Sequence, residues 1–139
     1  MKKVLILCTG NSCRSQMAVG LISNAFPEMQ VYSAGTKPEK VNPFAIKAMA
    51  EIGVDISNYT SNHANEYTNI DFDFVFTVCD NAKEICPIFP KAKQMIHHSF
   101  TDPSGASGNE EEQLKVYVSV RDEINNYFKD FAENNLANK

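Results

Sequence analysis

The stretch VLILCTGNSCRSQMA, residues 4–18, decides how this chain is read. Val4 to Leu7 is a short aliphatic run, the pattern of a strand covered on both faces. It leads directly into Cys8 and then Thr9, Gly10, Asn11, Ser12 and Cys13. Small polar residues build no core, but they build a loop whose amide N–H groups converge on one point. From Ser15 to Phe26, the residues Met17, Ala18, Leu21, Ile22, Ala25 and Phe26 recur at helical spacing, and Pro27 is a stop. The local order is therefore strand, loop, helix, with a cysteine closing the strand and Arg14-Ser15 opening the helix.

Such a C-x5-R-S loop is suited to an oxyanion. Successive N–H groups turn inward, and the helix N-terminus adds the positive end of its dipole. Gly10 and Asn11 tolerate left-handed backbone. The planar guanidinium of Arg14 matches two oxygens of a tetrahedral, phosphate-like dianion. The same field favours a thiolate at Cys8, and Ser15 can donate a hydrogen bond to that sulfur. Residues 8–15 thus read as a cradle with a nucleophile at its base. No G-x-x-x-x-G-K-[ST] or G-x-G-x-x-G sequence occurs to suggest a nucleotide instead.

Outward from this loop, strands and helices alternate. Val31 to Gly35 reads as a second strand. Asn42-Pro43 reads as an N-cap followed by proline at the first helical position, with Ala45, Met49 and Ile52 inward and a stop at Gly53. Residues 54–70 are polar, with room for one short helix. Phe72 to Val78 reads as a third strand and Gln94 to His98 as a fourth. Asn109 and Glu112 are a capping pair for a last helix with Leu114, Tyr117, Ile124, Phe128 and Phe131 as its buried stripe. Right-handed crossovers then give a three-layer α/β fold, a four-stranded parallel sheet with helices on both faces. Ligands of such sheets bind beyond the carboxyl ends of the strands, where both Cys8 and Cys79 emerge.

The 139 residues suggest one domain over 1–139. The composition is 43% hydrophobic and 22% charged, with net charge −4 and no basic cluster, which argues against nucleic acid or an anionic membrane as partner. Val4 to Leu7 is too short for a secretory h-region, and no run reaches the ~20 apolar residues of a membrane span. A cytoplasmic monomer is the expectation. In that compartment the four cysteines, Cys8, Cys13, Cys79 and Cys86, read as reactive or metal-binding residues rather than as structural disulfides. Six residues separate Cys79 from Cys86, a poor fit to paired zinc ligands, and the histidines lack ligand spacing, so no metal is assigned. Cys13 reads as a small buried hydrophobe whose amide serves the cradle. A thiolate attacking an oxyanion needs an acid for the leaving oxygen, and Asp102, in the loop after the fourth strand, is the candidate.

Seven segments carry a family resemblance: CTGNSCRSQMA, VYSAG, VNPFAIKAM, GVDISNYTS, VFTVCDNAKEICP, FTDPSGASG and VRDEI. Together they resemble the low-molecular-weight protein tyrosine phosphatase superfamily and, more closely, the thioredoxin-coupled arsenate reductases built on that fold. The phosphatases need Cys8, Arg14 and Asp102, whereas the reductases also need the pair Cys79 and Cys86. The resemblance implies a relay. Cys8 attacks arsenate with Arg14 as clamp and Asp102 as proton donor, Cys79 resolves the adduct, and a Cys79–Cys86 disulfide passes to thioredoxin. Phosphate or sulfate would occupy the same cradle as analogues.

Geometry attaches a condition. In a helix, seven residues span about 10.5 Å, and a disulfide needs Cα atoms within roughly 7 Å. If 80–86 is helical when reduced, the segment must unwind or loop on oxidation, and residues 79–90 are expected to rearrange.

Two departures refine the resemblance. Ser104 and Gly105 follow Asp102-Pro103 where phosphatases usually place aromatic residues, which weakens a tyrosine-phosphatase reading. Some reductases of this family hold a potassium ion near the cradle with carboxylates, but the aligned positions here are Val19 and Asn62. No bound cofactor and little activation by potassium are expected. The alternatives are a low-molecular-weight aryl phosphatase using Cys8, Arg14 and Asp102, and a non-catalytic oxyanion-binding or redox-sensing module.

Overall fold

Strand β1 (Lys3–Cys8) runs through the middle of a four-stranded sheet of order β2-β1-β3-β4, with β2 (Gln30–Gly35), β3 (Phe74–Thr77) and β4 (Gln94–His97). The structure, a computed structural model, describes residues 2–8, 13–35, 39–78, 91–101, 103 and 107–135. Every strand pair is parallel, and the register sets Cys8 opposite Gly35 and Leu7 opposite Thr77. Parallel pairing directs all four carboxyl ends to one edge. An isolated bridge between Gly35 and His63 extends the pairing there, with Gly35 N donating to the Asn62 carbonyl at 2.9 Å.

Alternation along β1 divides the core. Val4, Ile6 and Cys8 join the larger cluster with helices α1 (Arg14–Ala25), α2 (Pro43–Ala50) and α3 (Glu110–Asn135). Leu5 and Leu7 face the smaller cluster, with Ala34, Phe72 and Val75, beneath the 3-10 turn Ala64–Tyr67. Among the described residues the three α-helices thus share one face, and the short helix foreseen within 54–70 lies on the other. The larger core is aromatic at its base, where Phe76 meets Phe128 and Phe131 edge-on at 5.0 and 4.9 Å. Such pairs add about 0.5–1.5 kcal/mol each beyond area burial.

Helix starts follow their local chemistry. Asn42 Oδ1 accepts from the amides of Phe44 at 2.8 Å and Ala45 at 3.4 Å, Pro43 follows it, and Asn42 Nδ2 donates to the Tyr117 hydroxyl at 3.1 Å. Asn109 Oδ1 accepts from Glu112 N at 2.8 Å before α3. Along α3, Tyr117, Ile124 and Phe128 are buried and Leu114 and Phe131 partly so, as the stripe predicts.

Ile52 departs from expectation at 45% exposure. Helix α2 ends at Ala50, and Gly53 takes φ +78°, a left-handed turn that leaves Ile52 outside. Val120 and Arg121 are buried beyond the expected stripe. Arg121 Nη1 donates to the Ala48 carbonyl at 2.8 Å at the end of α2, and its guanidinium pairs with Asp122 at 2.9 Å. A cation there satisfies a terminal carbonyl and complements the helix dipole.

No helix among the described residues is long and apolar enough to cross a membrane.

Candidate active site

Cys8 is the last residue of the central strand and is buried at 3% exposure. Cys13 is also buried and stands at the N-cap position of α1, its carbonyl accepting from Met17 N at 2.9 Å. Arg14 opens α1 and is half-buried, and Ser15 behind it is fully buried. The strand end and the helix start therefore meet at the carboxyl edge of the sheet, where dipole and guanidinium favour an anion.

Arg14 is held from across the chain. Its Nη1 donates to the Phe100 carbonyl at 3.2 Å. Phe100 is fixed in turn, because its N donates to the Val78 carbonyl at 3.1 Å and its ring packs against Tyr127 at 5.5 Å and His98 at 4.9 Å. Val78 N donates to the Leu7 carbonyl at 2.9 Å. Leu7 and Val78 immediately precede Cys8 and Cys79 in the chain. Thr101, which precedes Asp102, is held through its N and hydroxyl by Glu123 at 3.3 and 3.4 Å. Thr9, Gly10, Asn11, Ser12, Cys79, Cys86 and Asp102, with the 79–90 segment, lie outside the described residues.

A low molecular weight phosphotyrosine protein phosphatase family model matches residues 3–139. The chain belongs to that family. Two relatives are similar over nearly their whole length. An arsenate reductase of Halalkalibacterium halodurans is 47% identical over 133 residues, 95% of this chain and 96% of that one. An arsenate reductase of Bacillus subtilis is 46% identical over the same shares. Among solved structures, an arsenate reductase in the phosphate-binding state superposes with a TM-score of 0.82 at 31% identity, covering 96% of this chain and 98% of that one.

In this phosphatase-family chain a polar pocket of about 380 Å³ lies beside α1 and β2, lined by residues that include Gln16, Val19, Ser33, Thr60 and Asn62. It tests whether a potassium ion fits. Val19 offers no ligand atom, and none of the lining residues is Asp, Glu, Lys, Arg or His. Three of its oxygens accept hydrogen bonds: Gln16 Oε1 from Ser33 Oγ at 3.4 Å, Thr60 O from Gln16 Nε2 at 3.1 Å, and Asn62 Oδ1 from Thr60 Oγ1 at 3.3 Å. Tyr59 and Tyr67 also line it, and burial pushes both phenols above their ordinary pKa, so they stay neutral. The lining residues thus offer neutral oxygens, with the Glu66 carboxylate at the margin accepting from Asn62 Nδ2 at 3.4 Å. Among the described residues no group of three or more His, Cys, Asp or Glu could hold a metal.

Gln16 and Phe100 are the site residues that sequence reasoning missed. Phe100 reaches Arg14 only through the fold. Gln16 carried a local signal, a polar amide within the wholly buried run Ser15 to Ile22, where an amide requires partners.

Proposed function

We propose that this protein reduces arsenate to arsenite through three thiols, with thioredoxin as its reductant. The observation that carries this reading is the placement of buried Cys8 and of Arg14 at one sheet edge, the strand end and helix start that bracket residues 9–13. The near-full-length likeness to proteins named arsenate reductase favours arsenate among tetrahedral oxyanions. The cysteines at 79 and 86 supply the electrons that the reduction requires.

In the proposed first step the Cys8 thiolate attacks arsenic and an oxygen leaves as water, protonated by Asp102. Arg14 binds two of the remaining oxygens. The Cys79 thiolate next attacks the Cys8 sulfur. The sulfur–arsenic bond breaks, its electron pair stays on arsenic, and arsenite departs, leaving a Cys8–Cys79 disulfide. Cys86 then attacks Cys79 and frees the Cys8 thiolate, and thioredoxin's dithiol reduces the Cys79–Cys86 disulfide. Selectivity over phosphate arises after binding, because the arsenic adduct accepts an electron pair and the phosphorus one does not. If 80–86 is helical in the reduced protein, the segment 79–90 must rearrange for its two sulfurs to meet.

The family match favours a second activity of the same cradle, hydrolysis of aryl phosphates through Cys8, Arg14 and Asp102. One experiment separates the two. Arsenate-dependent NADPH consumption is measured with thioredoxin and thioredoxin reductase, for this protein and its Cys86→Ser variant, beside aryl phosphate hydrolysis. Turnover lost in the variant supports the relay. No arsenate turnover in either protein, with phosphate ester hydrolysis in both, establishes the phosphatase reading instead.

A further inference from the structure

Gln16 is 1% exposed, and its side-chain amide is used from both ends. Nε2 donates to the Thr60 carbonyl and Oε1 accepts from the Ser33 hydroxyl. Ser33 lies in β2, two residues before Gly35. Thr60 lies in the chain that runs on to Asn62 and His63, both joined to Gly35. The bridge therefore ties the first turn of α1 to the sheet edge at two points. A first turn lacks the inward amide bonds of the helix interior, so tertiary contacts set its position. Arg14 is two residues away on that turn.

The surrounding pocket strengthens this point. At the positions where the resemblance implies carboxylates this chain has Val19 and Asn62, and the bonds from Gln16 to Ser33 and Thr60 are between neutral groups, with Glu66 reaching the Asn62 amide. We propose that Gln16 is a positioning residue, and that the Ser33–Gln16–Thr60 bridge fixes the Arg14 turn in place of a bound cation. This inference rests on the oxyanion-cradle reading above.

The test uses inorganic phosphate as the probe of the cradle and needs no reduction step. Phosphate affinity and melting temperature are compared for the full chain in sodium and potassium chloride at equal ionic strength, and should be the same in both. Ser33→Ala, which removes one bond without crowding, should weaken phosphate binding and raise the KM for arsenate by about threefold to tenfold. Gln16→Leu, of similar volume, should do so more strongly, and in both variants kcat should change less than KM. Variants that melt earlier yet keep wild-type phosphate affinity and KM would reduce Gln16 to a packing residue and overturn the proposal. So would tighter phosphate binding or a higher melting temperature of the wild type in potassium. If phosphate binds in neither salt, the cradle reading itself fails, while the melting comparison still decides whether potassium is taken up.

Discussion

The Arg14 guanidinium donates to the backbone carbonyl of Phe100, 86 residues away, at 3.2 Å. This one bond links the start of the first helix to the loop that leads to Asp102, so the clamp and the proposed acid share a support. Phe100 is 4% exposed, among Tyr127, Phe128 and His98. Phe100→Leu keeps the carbonyl but loosens its packing. It should cost about 1–2 kcal/mol in urea denaturation, and it should raise the KM for arsenate. A wild-type KM in a destabilised variant would separate Phe100 from the positioning of Arg14.

Cys8 is expected to be the nucleophile. Cys8→Ser should lower both arsenate turnover and aryl phosphate hydrolysis by about four orders of magnitude. Phosphate binding should persist, because the amides and Arg14 remain. Equal loss of binding and turnover, measured by calorimetry and by steady-state rates, would show that the variant disrupts the cradle rather than the chemistry.

Asn42 serves two elements at once, capping α2 and donating to the Tyr117 hydroxyl of α3. Asn42→Ala should destabilise by about 1–2 kcal/mol, the cost of a lost cap and a partly buried hydrogen bond. Tyr117→Phe removes only the second part. The double variant should show coupling of about 0.5–1 kcal/mol, whereas simple additivity would mean the bond contributes nothing.

Asp73 predicts a pH dependence. Burial pushes its carboxyl up, but the Lys3 amide at 2.9 Å and the Lys93 ammonium at 3.2 Å outweigh this and hold it below its ordinary value. A depressed carboxyl stabilises the fold above its unfolded pKa of about 3.9, and that contribution is lost as pH falls through the folded value. Asp73→Asn should therefore be less stable than wild type at pH 7 by about 1 kcal/mol, Lys93 being largely exposed. The gap should close below about pH 4. A constant difference across pH 3–7 would assign the effect to packing.

Much of this architecture was legible because its causes are local. The aliphatic run at Val4–Leu7, the Asn42-Pro43 start and the Asn109 cap each carry their own chemistry, and the structure repeats them. Ile52 was misplaced because helical periodicity was extended past Ala50, whereas the left-handed Gly53 had already turned the chain. Arg121 is buried outside the stripe expected of α3. Its burial depends on the Ala48 carbonyl, 73 residues distant, which no local pattern encodes. The placement of Cys8 at the end of β1 and of Arg14 at the start of α1 was legible from the aliphatic run and the helical spacing that follows. The Phe100 support was not, since a backbone carbonyl leaves no side-chain signature. Gln16 could have been found by asking what a buried amide bonds to.

The two sheet faces differ in what they demand of the chain after β3. Among the described residues after β3, the larger core takes Val78, Ile96, Phe100 and the stripe of α3, whereas the smaller takes Ala92 alone. The smaller core is thus drawn, Ala92 apart, from residues 5–75, whereas the larger one is incomplete until α3 packs on it. Loss of α3 would therefore open one face of the sheet and leave the other covered.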